Sequence, residues 1–130
     1  MVLYKNNKIE IRKSPIHGYG VFTNGYIEKG EILEECNYVR LMGNDPNVIS
    51  GYHFSWPFIV SEMKYMTIPF GFACVYNCVG NSGDESATWE CDEERDIYVF
   101  KAIKDIEADT EILLYYGDSY MTQINFKINK

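Results

Sequence analysis

The apolar runs of this chain are short, and turn residues close almost every one of them. Runs of that length suit buried strands better than helices, which need a longer 3.6-residue period. The stretch Glu111-Ile112-Leu113-Leu114-Tyr115-Tyr116-Gly117-Asp118-Ser119-Tyr120 carries the pattern in full. Ile112, Leu113 and Leu114 follow an acidic loop and read as a strand. The strand breaks at the turn dipeptide Gly117-Asp118, with tyrosines on both sides. A buried Tyr needs a partner for its hydroxyl. These phenols therefore read either as an aromatic corner of a core or as a strand end that delivers a catalytic hydroxyl.

The rest of the chain repeats the motif of short strand and turn. Lys8 to Arg12 alternate polar and apolar, as a half-buried strand does, and Ser14-Pro15 ends it. In Ile16-His17-Gly18-Tyr19-Gly20-Val21-Phe22, two glycines flank one aromatic. That backbone bends tightly and exposes its amides and carbonyls, as a hairpin turn or as a cradle for a small ligand. It lacks the third Gly and following helix of a dinucleotide fingerprint. Ile27-Glu28-Lys29-Gly30-Glu31-Ile32-Leu33 is echoed by Ile106-Glu107-Ala108-Asp109-Thr110-Glu111-Ile112-Leu113. In the second copy Asp109 or Thr110 has to make the turn that Gly30 makes in the first.

Further strands are expected at Tyr38 to Leu41, at Met63 to Ile68 and, most strongly, at Asp96 to Ile103, which is β-branched and aromatic. Tyr52, Phe54, Trp56 and Phe58 give one aromatic face to a strand or extended loop that Pro57 confines to an edge or end. Phe70 to Cys78 reads as a buried segment with a short helical turn, closed by Asn77, whose amide must pair inside or face a ligand. Val79 to Glu90 reads as a loop, and Glu90 to Asp96 as a solvated acidic stretch. The sum is a mostly β domain of several small sheets over residues 1–130.

Composition narrows the function. Eleven tyrosines stand against seven Phe and two Trp, an excess that suits half-wet pockets as well as core. The net charge of −7 argues against binding a nucleic-acid backbone and suits a basic partner or simple solubility. No apolar run reaches a membrane span. Cys36, Cys74, Cys78 and Cys91 form no Cys-x-x-Cys pair, and the first residues do not read as the charged-then-apolar pattern expected of a secretory leader. An intracellular protein with reduced thiols is expected, with no metal; a zinc site built from these cysteines with His17 or His53 matches no standard spacing.

Four of these pieces, in order, resemble a SET-domain lysine methyltransferase. They are Gly18-Tyr19-Gly20-Val21-Phe22, Lys29-Gly30-Glu31, the apolar run ending in Asn77, and Glu111-Ile112 leading to Tyr115-Tyr116-Gly117-Asp118. The resemblance spans about residues 8–120. In its brevity the chain looks most like the compact SET proteins of large DNA viruses.

The resemblance implies small β-sheets around a C-terminal pseudoknot, in which the segment ending at Asn77 threads beneath a loop containing Tyr116. It implies S-adenosyl-L-methionine as methyl donor and a lysine of a basic protein or peptide as acceptor, with a histone tail first among candidates. A homodimer is left open. The working compartment would be a host nucleus if the protein is viral and histone-directed. Residue by residue, Tyr116 would be the catalytic phenol, and Tyr19, Tyr52 and Tyr120 would line the lysine channel. Gly18, Tyr19, Gly20, Asn77 and Cys78 would hold the cofactor, Cys78 through its backbone at the adenine. Glu34-Glu35 and Glu90 to Asp96 are expected contacts for a basic tail. The family's Asn-His-Ser is here Asn77-Cys78-Val79, and the cysteine-rich zinc segment of larger members is missing, which leaves Phe126 or its neighbours to cover the adenine. The alternative is a SET-like domain without catalysis that binds a basic peptide or scaffolds a partner.

Overall fold

The computed structural model of the chain describes residues 2–40, 54–60 and 63–115. In chain order the strands are β1 (Ile9–Lys13), β2 (Tyr19–Thr23), β3 (Ile32–Cys36), β4 (Tyr38–Arg40), β5 (Phe54–Val60), β6 (Met63–Pro69), β7 (Asn77–Cys78), β8 (Ala87–Asp92), β9 (Ile97–Ala102) and β10 (Glu111–Leu114). No helix occurs among the described residues. The strands form three small sheets, ordered β1-β2-β10-β7, β3-β9-β8 and β4-β6-β5. The mostly β architecture expected from the short apolar runs is the one observed.

Burial explains why β9 reads so strongly. It is the central strand of its sheet, and Ile97, Tyr98, Val99, Phe100 and Ala102 are all buried. The Tyr76 ring stacks on Phe100 at 5.3 Å, and Trp89 lies tilted against the same ring at 6.4 Å. The Tyr98 hydroxyl shares a hydrogen with Thr67 Oγ1 at 2.5 Å, so a buried phenol finds its partner on β6. Val21, Ile27, Leu33, Ile112 and Leu114, each fully buried, extend the core into the other sheets.

The two echoed turns pack against each other. Ile27 and Ile106 exchange both backbone hydrogen bonds, at 2.9 and 2.8 Å. The amide of Gly30 in the first turn bonds Ala102 at the end of β9, and the amide of Asp109 in the second bonds Thr23 at the end of β2. Each turn is thus held by the strand that leads into the other. Both pivots take the left-handed conformation, Gly30 at φ +90° and Asp109 at φ +58°. Asp109 therefore does the work of the missing glycine, which a short polar side chain can do.

Other expectations are refined. β5 is an edge strand, and its register with β6 is irregular between Ser55 and Ile59, the interval that holds Pro57. Ala87–Asp92 is not loop but strand, paired with β9 along its whole length. Trp89 and Cys91 pack against the core while Glu90 faces solvent, so charges on the outer face hid the alternation. Phe70 to Cys78 is not one buried run: Phe70 is exposed, residues 71–75 form turns with no helix, and Ala73 and Tyr76 point into the core. The loop with Tyr116, the residues around Tyr52, and the tail with Tyr120 and Phe126 lie outside the described residues.

Candidate functional site

β10 is the element that gathers the site. On one side it pairs antiparallel with β2, Glu111 opposite Phe22 and Ile112 opposite Val21. On its other side it pairs parallel with β7, Leu113 opposite Asn77 and Leu114 opposite Cys78. A parallel pair needs a crossover connection, and here it is supplied by residues 79–110, which include β8 and β9. The Gly18-Tyr19-Gly20 turn and Asn77 therefore meet across the head of one strand. That strand ends two residues before Tyr116.

The Asn77 side chain joins these parts. Its Nδ2 donates to the carbonyl of His17 at 3.0 Å, to the carbonyl of Tyr19 at 3.2 Å and to Glu111 Oε2 at 2.7 Å. The other carboxylate oxygen, Glu111 Oε1, accepts from Ser14 Oγ at 2.7 Å. Ser14 in turn holds the tight turn: its amide donates to the Gly18 carbonyl at 2.8 Å, and its hydroxyl accepts from the Ile16 amide at 3.0 Å. Gly18 sits at φ +49°. Gly20 is required for a different reason. A Cβ there would overlap Glu111 Oε2 and come within 3.1 Å of Asn77 Nδ2.

Several groups at this cluster remain available to a ligand. Asn77 Oδ1 accepts no hydrogen bond among the described residues. Around Gly18, the direction of a Cβ is open space. Tyr19 is 58% exposed. The amide of Val79 bonds Leu114 at 2.9 Å. Backbone groups of successive strand residues face opposite ways, so the amide and carbonyl of Cys78 face away from β10, on the side where no strand pairs among the described residues. Burial pushes the Cys78 thiol above its ordinary pKa, and its own backbone pulls weakly the other way.

Gly18, Tyr19, Gly20, Asn77 and Cys78 are thus brought together, while Tyr52, Tyr116 and Tyr120 lie outside the described residues. Sequence reading missed Ser14 and Glu111, which complete the cluster. Ser14 looked like a strand terminator and Glu111 like the rim of an acidic loop. The signal that could have found Glu111 is its place at the head of a buried strand, one residue before Ile112. The acidic surface needs correction. Glu34 is fully buried, with Tyr76, Phe72, Cys36 and Lys5 around its carboxylate, and Glu35 is tied to Arg95 at 2.6 Å. Neither is free for a basic tail. In the β8–β9 hairpin Glu90 pairs with Lys101 and Asp92 with Arg95, which leaves Glu93 and Glu94 exposed.

No group of three His, Cys, Asp or Glu fit to hold a metal occurs among the described residues, and no disulfide joins the four cysteines. A family model described as SET domain matches residues 18–117. A Plasmodium falciparum protein, solved as a candidate histone methyltransferase, superposes with a TM-score of 0.69 at 29% identity, over 86% of this chain and 95% of that one. The methyltransferase domain of human PR domain-containing protein 2 has the same fold, with a TM-score of 0.64 at 14% identity over 87% of this chain and 80% of that one. So does a chain of the Chaetomium thermophilum Polycomb repressive complex 2, solved with S-adenosylmethionine, with a TM-score of 0.61 at 20% identity over 93% of this chain. This chain spans only 17% of that much larger one. No curated protein matches the chain in sequence.

Proposed function

The chain belongs to the SET-domain family, and on that premise we propose that it is an S-adenosylmethionine-dependent enzyme that methylates a lysine side chain of a basic protein, a histone tail first among candidates. The observation that carries this reading is the Asn77 amide. It ties the Gly18-Tyr19-Gly20 turn to β10 and keeps one acceptor, Oδ1, for a ligand. The donor set suits the methionine end and the adenine of the cofactor. Asn77 Oδ1 can take a hydrogen bond from an ammonium, the open face at Gly18 admits a close backbone approach, and the backbone of Cys78 is directed away from β10.

When bound, S-adenosylmethionine supplies a methyl group on a positively charged sulfur. The chain's residues have to deliver a neutral amine to it. A lysine has a pKa of about 10.4, so at about pH 7.4 the neutral amine lies about 4 kcal/mol uphill. A narrow channel of phenols, for which Tyr19, Tyr52 and Tyr120 are proposed, lowers that cost by desolvating the ammonium. Aromatic faces also tolerate the cation and its methylated products. Tyr116 is proposed to accept a hydrogen bond from the amine and fix its lone pair on line, an alignment role that needs no strong base. Water carries the proton away before the amine closes in.

Labelled methyl transfer from S-adenosylmethionine to mixed core histones, with Tyr116→Phe beside the wild type, tests this reading. Label on one histone from the wild type alone supports it. No label, together with no calorimetric binding of the cofactor, rejects it in favour of a scaffold.

A further inference from the structure

We propose that Glu111 is a positioning residue that sets the hydrogen-bond polarity of the cofactor site, an inference that rests on the function proposed above. An Asn side chain offers two donors at one end and an acceptor at the other, and its neighbours decide which end faces outward. Two backbone carbonyls, of His17 at 3.0 Å and Tyr19 at 3.2 Å, also accept from the Asn77 amide. The contact to Glu111 Oε2 is shorter, 2.7 Å, and charge-assisted. A carboxylate, like the two carbonyls, can only accept, so this contact is the strongest of three that oppose the flipped amide. Asn77 then presents oxygen outward, and the site selects a ligand group that donates.

The carboxylate is itself held from its far side by the Ser14 hydroxyl at 2.7 Å. It is also covered by the backbone of Gly20, where even a methyl group would collide with Oε2. Ser14 and Glu111 lie 97 positions apart in the chain. One carboxylate thus locks the hairpin turn, the Asn77 amide and the head of β10 into a single arrangement. Gln at position 111 can reproduce it, accepting from Asn77 through Oε1 and donating to the Ser14 hydroxyl through Nε2. Met has a similar length and can do neither.

Two measurements on the full chain decide the matter. The first needs no ligand: hydrogen exchange of the Asn77 side-chain amide, followed by nitrogen-15 NMR. Glu111→Gln should keep the rate within about twofold of wild type, and Glu111→Met should raise it about tenfold. Equal rates in wild type and Glu111→Met overturn the proposal. Should Glu111→Met not fold, Ser14→Ala takes its place, with a rise of about threefold expected and no rise overturning the proposal. The second is calorimetric titration with S-adenosylhomocysteine and with its analogue lacking the α-amino group. Wild type should prefer the amino form by about tenfold, and Glu111→Met by about twofold or less. An undiminished preference in Glu111→Met also overturns the proposal. If wild type binds neither compound, the functional reading fails, and the exchange rates still judge Glu111 on their own.

Discussion

The hydroxyl of Tyr76 donates to Glu34 Oε2 at 2.6 Å in the core, where the carboxylate has no solvent exposure. Glu34 Oε1 accepts from the Phe72 amide at 3.0 Å, and Lys5 approaches it at 3.8 Å. A buried carboxylate is tolerated only when its lone pairs are filled. Tyr76→Phe removes one filler and should cost about 1–3 kcal/mol of stability. Gly71→Ala should cost at least as much. Gly71 sits at φ +88°, and an added Cβ would lie 2.5 Å from Glu34 Oε1. Urea unfolding followed by tryptophan fluorescence reads both, and unchanged midpoints would show that the carboxylate does not depend on these contacts.

Glu34, fully buried, and Glu111, half-buried, mark where sequence reading stopped. Strands β1, β6, β9 and β10 were legible because their apolar residues alternate or cluster between turn formers, a local property. Glu34 and Glu111 were not, because a charged residue in a strand reads as solvent-facing unless its partners are known. Those partners, Tyr76 and Ser14, lie 42 and 97 positions away. The same blindness read the strand Ala87–Asp92 as the end of a loop and the start of a solvated acidic stretch. Gly18, Tyr19, Gly20 and Asn77 were named through the family resemblance. That the Asn77 amide grips the turn itself, through His17 and Tyr19, is visible only in three dimensions.

The paired turns predict unequal responses to one substitution. Gly30→Ala forces a Cβ into the left-handed region and should destabilise by about 1–2 kcal/mol. Asp109 already occupies that region at φ +58°, so Asp109→Gly should change stability little, within about 0.5 kcal/mol. The ion pair it loses to Arg12 is solvent-exposed and contributes little. Asp109→Val, with a branched side chain, should behave like Gly30→Ala or worse. Thermal unfolding of the three variants tests this; a large loss in Asp109→Gly would mean that the Arg12 contact, not the backbone, holds the turn.

Burial raises the pKa of all four thiols, Cys36 and Cys91 the furthest, and should make the fold sensitive to alkali. Burial, then the neighbouring charge of Glu93, pushes Cys91 up to about 11. Burial, then the Glu34 charge, pushes Cys36 higher still. A folded-state pKa above the unfolded value of about 8.5 means that the folded chain binds more protons between the two. That stability is whole below the unfolded pKa and is lost as pH rises through the folded one. Urea midpoints should therefore hold between pH 6 and about 8 and fall from about pH 9 to 11. Cys91→Ser should flatten part of that fall, and identical pH profiles for variant and wild type would remove Cys91 as a cause.

Cys78 stands where the family pattern has His, and its geometry predicts that the difference is small. The Val79 amide bonds Leu114, so the backbone of Cys78 faces away from β10. A contact to adenine made by that backbone does not depend on the side chain. Cys78→His should therefore leave the affinity for S-adenosylhomocysteine within about threefold, or roughly 0.7 kcal/mol. Asn77→Ala, which removes the outward acceptor and frees the turn carbonyls of His17 and Tyr19, should weaken it about tenfold or more. Calorimetric titration of both variants gives the contrast. A rise of tenfold or more in Cys78→His would show that the thiol impairs the pocket. Equal binding by Asn77→Ala would take the amide out of cofactor recognition.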